Sequence, residues 1–395
     1  MERNQKEIQE KLQRKMEEEG FDALLLTRPE SIRYATGVTS AFMYLNIPIG
    51  NVIGIVPKTG NAAVVMSEFE GNAAKIDSPE IDVLGYPIFV YIADFDANGR
   101  MKDSQPNTDK AFHMAAGFIK EKLGAVKKIG VERPMFPYDR MLFLQEQFGE
   151  EVPQDCTQLL KDVTKFKTAW EIEVLRKNAQ ASQRAMSYVA KHTEIGMDEQ
   201  DILLLMNQGL VNEGKGFCST RQCNVVGEQF SPIYLPHTCY KLKEGDTVRL
   251  DGGINSNSYS SDISRTYFVG NKVSDERLKI WNILHDTFEK VFAMIGPGVR
   301  ICDIFKAAED NVKTVIPEYH RGHFGHSVGC YVWWEEYPTI SRHDTNCLEP
   351  GMVMNLEIPY YSSYNNSYNF EDTFLVTETG IDRFTRHSDD IYWRD

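Results

Sequence analysis

Two segments near the end of the chain each place a glutamate inside an otherwise apolar, strand-like stretch. Glu357 stands between Leu356 and Ile358, and Glu371 directly follows Phe370 in the segment FEDTFLVTETG. A carboxylate that is buried without a partner is strongly unfavourable. These segments can therefore fold as buried strands only if something compensates the two charges, and a bound metal ion would do so.

Two aspartates flank a polar turn earlier in the same half of the chain. Asp251 and Asp262 lie eleven residues apart on either side of the turn NSNSYS, in the strand-like segments 246–254 and 262–270. Two adjacent antiparallel strands can bring such residues to one site, because cross-strand neighbours approach within about 5 Å. Taken alone, the pair is equally typical of a solvated polar turn.

A histidine-rich segment, HRGHFGHSVG, lies between the aspartates and the glutamates. Three of the nine histidines fall within seven residues there, and only one need be a ligand, since the others could orient it or shuttle protons. Four carboxylates and one imidazole make a hard, oxygen-rich ligand set. One divalent cation would leave this cluster at about −2, whereas two bring it to about zero. The pattern predicts a two-metal site that activates water for attack on a carbonyl, with the ligands Asp251, Asp262, His326, Glu357 and Glu371.

Composition limits the classes of partner. The chain has 395 residues, of which 42% are hydrophobic, and this fraction is typical of a globular protein. Its formal net charge of −14 argues against nucleic acid and anionic membranes as partners. No apolar run is long enough to span a bilayer, and the charged N-terminus has no signal-peptide core. Seven scattered cysteines without a CxxC pair indicate reduced thiols, so we expect a cytoplasmic protein.

Hydrophobic periodicity indicates an α/β fold with two domains. Helical and strand-like segments alternate up to about residue 155, beginning with a helix over 3–20 that Gly20 closes. Two amphipathic helices follow from residue 169, and the last third of the chain contains a helix that GPG ends and several strands. The segment DVTKFKT has few apolar residues, and we place the division there, with domains 1–160 and 161–395.

Several motifs in a fixed order resemble one known family. DGG…SDISRTYFVG, GHSVG, LEPGMVMNLE and FEDTFLVTETG resemble the creatinase/prolidase/methionine-aminopeptidase metallopeptidases, which have the pita-bread fold. KMEEEGFDALLLTRPESIRYATG looks like the opening of the family's N-terminal domain, and LKDVTKFKTAWEIEVLRKNAQ like the junction into its catalytic domain. The resemblance implies an N-terminal creatinase-like α/β domain, a C-terminal pita-bread domain with a curved antiparallel sheet, and a homodimer.

The resemblance also implies roles for particular residues. It assigns metal binding to the same five side chains and implies two divalent ions, which could be Mn, Co, Zn or Fe. It gives His237, in SPIYLPHT, the role of stabilising the tetrahedral intermediate, although a loop histidine is otherwise the simpler interpretation. Glu357 or Glu371 could accept the proton of the attacking water. Substrate contacts are expected at His323 and at Trp333.

The residues expected around the substrate depart from the family pattern. Peptidase members carry a second histidine seven residues after the metal-binding one and tend to carry arginine two residues before the last glutamate, where this chain has Trp333 and Asn369. Glu357 is followed by Ile-Pro rather than Pro-Gly. The aromatic residues near Trp333 (Tyr331, Trp334 and Tyr337), like the segment 86–95, could pack a core or form a pocket for a cationic or apolar group.

Our leading functional hypothesis is a dinuclear-metal-dependent hydrolase that cleaves a C–N amide bond. Its substrate would be a short peptide, as for an Xaa-Pro dipeptidase or aminopeptidase, or another small amide. One alternative is a lyase or hydrolase for a small zwitterionic osmolyte, like the ectoine hydrolases and dimethylsulfoniopropionate lyases of the same fold, which is an analogy at the level of the fold. A second alternative is a non-catalytic binding module that keeps the fold.

Overall fold

The chain divides into two compact units, Met1–Thr164 and Lys165–Asp395, in a computed structural model. The structure describes residues 3–44, 50–88, 108–214, 224–228, 239–331, 335–362 and 364–393.

The N-terminal unit is a mixed six-stranded sheet with helices. Its strands run in the order β4-β3-β2-β1-β5-β6, with β1 antiparallel to β2 and parallel to β5. Its helices are α1 Gln5–Glu19, α2 Pro29–Thr36, α3 Glu68–Asp77, α4 Thr108–Leu123, α5 Tyr138–Phe148 and α6 Thr157–Thr164. Its strands are β1 Ala23–Leu26, β2 Ile53–Pro57, β3 Ala63–Ser67, β4 Asp82–Tyr86, β5 Ile129–Val131 and β6 Pro153–Asp155.

The first helix shows why this unit begins as the periodicity predicts. Its apolar positions Ile8, Leu12 and Met16 recur at helical spacing and are buried. The Asn4 side chain accepts a hydrogen bond from a backbone N–H of the first turn, and Gly20 ends the helix in the left-handed conformation with φ 74°. A residue with a Cβ is strained at that φ, so the glycine sets the end of the helix.

The C-terminal unit carries a larger antiparallel sheet and four helices within the described chain. The helices are α7 Ala169–His192, α8 Glu199–Asn212, α9 Asp275–Met294 and α10 Ile301–Lys313. The strands are β7 Val225–Val226, β8 Thr247–Gly252, β9 Asn255–Ser256, β10 Tyr259–Ser260, β11 Ile263–Phe268, β12 His323–Ser327, β13 Glu336–Ser341, β14 Val353–Glu357, β15 Tyr360–Tyr361, β16 Ser367–Tyr368, β17 Glu371–Val376 and β18 Ile381–Arg383.

Seven of these strands follow one path in the order β13-β12-β14-β17-β11-β8-β7, and β18 pairs with β17. All of the described pairings in this sheet are antiparallel. The turn NSNSYS, which joins the two aspartate strands, contains the small β9–β10 hairpin. The second polar turn, between the glutamate strands, contains the β15–β16 hairpin. Both turns therefore connect neighbouring strands, as we predicted for the turn between the two aspartates.

The two faces of this sheet differ in chemistry because strand side chains alternate. One face contributes apolar residues such as Met354, Leu356 and Phe374 to a core that also includes the apolar sides of α9 and α10. The residues between them along β14 and β17, Asn355, Glu357, Glu371 and Thr373, are buried but polar. A polar face of a sheet that is nevertheless buried needs partners for every group, and that face carries the predicted site.

An ion-pair cluster with a fully buried centre lies on the core side of the same strands. Arg265 and Asp372 are both fully buried, with Arg265 Nη2 2.7 Å from Asp372 Oδ1, and Arg383 Nη2 lies 2.7 Å from Asp372 Oδ2. Arg265 Nη1 also donates to the backbone carbonyl of Glu371 at 2.7 Å. Burial alone would raise the pKa of Asp372, but the two guanidinium groups outweigh this effect and hold its pKa below the ordinary value.

None of the described helices is long and apolar enough to cross a membrane.

Replacing Asp372 with asparagine should destabilise the C-terminal unit by about 3–5 kcal/mol, because the fully buried Arg265 loses its anion, while Arg383 keeps its pair with Glu289. All five tryptophans of the sequence lie after residue 164, so tryptophan fluorescence during urea unfolding reports this unit. The matched control is Asp382→Asn, since Asp382 pairs with Arg176 at the surface and is 48% exposed. That change should cost less than about 1 kcal/mol; equal losses in the two variants would contradict the prediction.

Candidate metal centre

Three of the predicted metal ligands lie in one row across four neighbouring strands. Glu357 on β14 is the register partner of Glu371 on β17, Glu371 is the partner of Ser264 on β11, and Ser264 is the partner of Asp251 on β8. Directly opposed residues of antiparallel strands project from the same face. The strand pairing therefore gathers three acidic residues, distant in sequence, on one face of the sheet.

The tightest group of potential ligands consists of Asp262, His326 and Glu371. Each offers a ligand atom, and these atoms all lie within 4.8 Å of one another. His326 Nε2 is 3.8 Å from Asp262 Oδ2. Within the described chain, Asp251 and Glu357 are not part of this three-residue group, although both lie near enough to Glu371 to act on its charge.

The backbone around His326 determines which ring nitrogen faces the acidic residues. Gly325 has φ 132°, and a Cβ there would lie 2.0 Å from the Asn355 carbonyl oxygen, so β12 can approach β14 this closely only with glycine at that position. His326 Nδ1 lies 2.9 Å from the Ser327 carbonyl oxygen, which can only accept. Nδ1 therefore carries the proton, and the lone pair of Nε2 is available to a cation.

The electrostatics of the group fit a bound cation. Glu371 is 2% exposed. Burial, followed by the negative charges of Asp262, Glu357 and Asp251, raises the pKa of Glu371 well above its ordinary value. Oxygen and imidazole ligands at this spacing suit divalent metal ions, and a cation among them removes the repulsion that raises this pKa. The residues present thus fit the metal ions that the sequence pattern predicts.

Asn355 is a supporting residue that the sequence analysis did not single out. Its Nδ2 donates to Glu371 Oε1 and to the backbone carbonyl of Asp262, both at 2.9 Å. Thr373 Oγ1 donates to the same Asp262 carbonyl at 3.2 Å. Asn355 lies two residues before Glu357 on β14, so strand alternation in the segment MNLE was a signal that could have placed it on this face.

Glu357 is held by two basic side chains. His323 Nδ1 and Arg321 Nη2 lie 3.1 Å and 3.4 Å from Glu357 Oε1. His323 Nε2 also lies 3.4 Å from Glu335 Oε2, which is partly exposed. His323, which we expect to contact substrate, thus stands beside a predicted metal ligand. Arg321, in the same histidine-rich segment, is a further neighbour that the sequence analysis missed.

Asn369 and Asp251 meet at the other end of the row. Asn369 Nδ2 lies 3.5 Å from Asp251 Oδ2, so the asparagine that replaces the family's arginine still faces this aspartate. The ring of Tyr361 lies between two arginines, with its centroid 4.8 Å from Arg249 Cζ and 5.6 Å from Arg321 Cζ. Protein cations therefore already contact this aromatic ring.

Two predicted site residues, His237 and Trp333, lie outside the described residues, as does Trp334. Of the other aromatic residues, Tyr86 is buried and its hydroxyl donates to the Asn51 carbonyl, which agrees with the core interpretation for that residue. The Tyr337 hydroxyl accepts from Asn346 Nδ2 at 3.1 Å.

Two protein-family models match the chain. Residues 173–378 match the metallopeptidase family M24, and residues 9–163 match the creatinase/prolidase N-terminal domain. Among similar proteins, the Xaa-Pro dipeptidase of Pyrococcus furiosus is 25% identical over 387 residues, covering 96% of this chain and 98% of that protein. A probable dipeptidase, PepE, of Mycobacterium bovis is 30% identical over 270 residues, which cover 67% of this chain and 70% of that protein.

Solved structures show the same fold. The Xaa-Pro dipeptidase from Bacillus anthracis superposes with a TM-score of 0.80 at 22% identity, over 98% of this chain and 99% of that one. A prolidase from Thermococcus sibiricus gives a TM-score of 0.81 at 19% identity, over 98% of both chains. This likeness confirms the predicted pita-bread fold with its curved antiparallel sheet.

The fold and the acidic group define a metal-dependent hydrolase of the pita-bread class. The chain belongs to the metallopeptidase family M24, because the family model covers more than half of its length. The family assignment made from the sequence motifs is therefore confirmed. Membership implies divalent metal ions as cofactors.

Replacing Glu371 with glutamine should stabilise the metal-free protein at neutral pH, because the substitution removes a charge whose burial is unfavourable. Each unit by which the pKa is raised corresponds to about 1.4 kcal/mol. The same variant should lose the stabilisation that a divalent cation gives, about 2.7 kcal/mol at a hundredfold excess over Kd. Thermal unfolding with and without Mn²⁺ measures both effects.

The control for this experiment is Glu349→Gln, because Glu349 lies in the same unit and is half exposed. This variant should behave like the wild-type protein in both conditions. A Glu371→Gln protein that Mn²⁺ stabilises as strongly as the wild type would contradict the assignment of Glu371 to the centre.

Proposed function

We propose that the protein is a dinuclear metallopeptidase that hydrolyses Xaa-Pro dipeptides. One observation carries the proposal: Asp262, His326 and Glu371 present ligand atoms within 4.8 Å of one another on the buried polar face of the sheet. Asp251 and Glu357 complete the proposed ligand set, because they lie in the same row of the sheet as Glu371. The relatives that span nearly the whole chain include proteins named Xaa-Pro dipeptidase, which supports this substrate class.

A pair of divalent cations at this site would polarise the scissile carbonyl and lower the pKa of a water molecule. Residues of this chain would accept the proton and hold the metal ligands in place. Glu357, with 8% of its surface exposed and Oε1 beside His323, is better placed than the more deeply buried Glu371 to take the proton of the attacking water. Asn355 holds Glu371 and the Asp262 backbone, so the ligand geometry is set before substrate binds.

The substrate contacts in this proposal come from two sources. His323, at the edge of the acidic group, is proposed to contact the bound peptide. His237 is proposed to stabilise the oxyanion, and this role rests on the sequence motif alone. The zwitterion alternative depends on an aromatic pocket around Trp333 and Trp334, which lie outside the described residues. The relatives named Xaa-Pro dipeptidase favour peptide hydrolysis, which is the activity we propose.

We propose Mn²⁺ or Co²⁺ as the ions, although the ligand set also accepts Zn²⁺ and Fe²⁺. Among the described cysteines, Cys156, Cys302 and Cys347 are free thiols, which supports a cytoplasmic location. We propose a homodimer from the family resemblance, and light scattering of the purified protein tests it.

The activity test compares Xaa-Pro dipeptides with betaines and small amides, each with protein loaded with Mn²⁺, Co²⁺ or Zn²⁺. We expect turnover of the dipeptides and its loss after chelation. Asp262→Ala should lose bound metal, measured by elemental analysis, and more than about a hundredfold of its activity, beyond the 10–100-fold typical of groups that only support ligands. Asp310→Ala, on the exposed surface of α10, is the control that should retain both.

Two results would contradict the proposed function. One is dipeptide hydrolysis by Asp262→Ala without bound metal. The other is a metal-loaded wild-type protein that turns over a betaine-like compound but no dipeptide, which would favour the zwitterion alternative.

A further inference from the structure

A buried ion pair lies directly behind the histidine of the metal centre. Lys167 Nζ is 3.0 Å from Glu336 Oε2, and the two side chains are 1% and 3% exposed. Lys167 belongs to the segment before α7, and Glu336 begins β13. Withdrawing both charges from water is costly, and breaking such a pair leaves an uncompensated charge in the interior. A pair of this kind fixes the positions of the groups around it.

The ammonium group of Lys167 has a second partner, Ser327. Lys167 Nζ donates to Ser327 Oγ at 3.1 Å, and Ser327 Oγ donates to the Val353 carbonyl at 3.1 Å. Ser327 is fully buried and is the register partner of Glu336 on β13 and of Met354 on β14. The serine is therefore held by two strands and by the lysine.

Ser327 connects this pair to the proposed ligand. Its carbonyl oxygen accepts the hydrogen bond from His326 Nδ1 at 2.9 Å. The orientation of that carbonyl sets both the ring orientation and the protonated nitrogen of His326, and thus the direction of Nε2. Lys167 is thus linked to His326 through one intermediate residue, Ser327.

The carboxylate of Glu336 fixes the chain that follows His326. Its Oε1 accepts from the backbone N–H of Tyr331 at 2.8 Å. A Cβ at Gly329 would lie 2.7 Å from Glu336 Oε2 and 3.0 Å from Lys167 Nζ, so the backbone packs directly against the ion pair. The Gly329 carbonyl in turn accepts from the N–H of Ser260, in the hairpin between the two aspartate strands. Residues 327–331 are thus held by the ion pair and by the hairpin that joins the two aspartate strands.

We propose that Lys167 and Glu336 are positioning residues of the metal centre, which hold Ser327 so that His326 presents Nε2 to the cation. This inference rests on the proposed function, since it concerns a ligand of the proposed metal site. A buried ion pair can have a merely structural role, or it can position a neighbouring group. A merely structural pair can be replaced by apolar side chains of similar volume, whereas a positioning pair cannot, because no apolar group can hold the Ser327 hydroxyl or the Tyr331 N–H.

The experiment uses the full-length protein, prepared metal-free and titrated with Co²⁺, with calorimetry for affinity and visible absorption for the geometry of the bound ion. Lys167→Met and Glu336→Gln should bind Co²⁺ about 10–100-fold more weakly, with altered absorption bands. Glu336→Gln keeps an acceptor for the Tyr331 N–H and isolates the charge. Lys165→Met, two residues away on an exposed pair with Glu349, is the matched control and should bind like the wild type.

The double variant Lys167→Met/Glu336→Leu distinguishes the two roles. We expect its thermal stability to return towards that of the wild type, because no charge is left unpaired, while its Co²⁺ affinity stays at least about tenfold weaker. This variant also provides the measurement if Lys167→Met alone does not fold. A double variant that regains both stability and affinity would overturn the inference, as would single variants that bind Co²⁺ like the wild type. A wild-type protein that binds no Co²⁺ overturns the proposed centre itself.

Discussion

The C-terminal unit depends on compensating negative charge that the strand register forces into one place. Glu357, Glu371 and Asp251 share a row across neighbouring strands, and Asp262 stands beside it. A one-residue slip of β17 would move Glu371 to the core face, among Phe370 and Phe374. The apolar face therefore fixes the register, and this register brings negative charges close together on the other face. The raised pKa of Glu371 reflects this unfavourable environment, because burial and three like charges oppose its ionisation. A divalent cation converts this repulsion into attraction, which links the stability of the fold to occupancy of the centre.

The same strands carry a second set of charges on their other face, and there the protein supplies the compensation itself. Asp372, the residue after Glu371, lies between Arg265 and Arg383, and the pKa of its carboxyl group is held below the ordinary value. Two adjacent acidic residues on one strand therefore have opposite electrostatic environments. Alternation along the strand is what separates them, since one side chain enters the core and the other enters the site. Arg265 contacts both acidic residues, because it pairs with the Asp372 carboxylate and also donates to the backbone carbonyl of Glu371.

Local patterns were enough to predict much of this structure. Apolar spacing predicted α1 and its end at Gly20, and the apolar stretches around Glu357 and Glu371 predicted two buried strands. The ordered motifs identified the family, whose fold is confirmed. What the sequence could not provide were contacts between residues far apart in the chain: Lys167 with Glu336, Asn355 with the Asp262 carbonyl, and Arg321 with Glu357. Each of these polar residues is typical of a solvated surface when read locally. Only the tertiary pairing shows that Lys167, Glu336 and Asn355 are buried and that Arg321 lies beside a proposed ligand.

The replacement of the family's arginine by Asn369 also looks different once the strands are paired. The Asn369 N–H donates to Thr266 Oγ1 at 2.9 Å, and Thr266 is the register partner of Arg249 on β8. Arg249 lies two residues before Asp251 on the same strand, so both side chains project from the face of the proposed site. Its guanidinium group stands over Tyr361, whose ring also faces Arg321. A positive charge is thus present on the site face, two residues from Asp251, although position 369 is neutral, because Arg249 on β8 provides it. The loss of arginine at 369 is therefore a weak argument against peptidase activity, since what matters to a charged substrate is the position of the cation in space rather than in sequence.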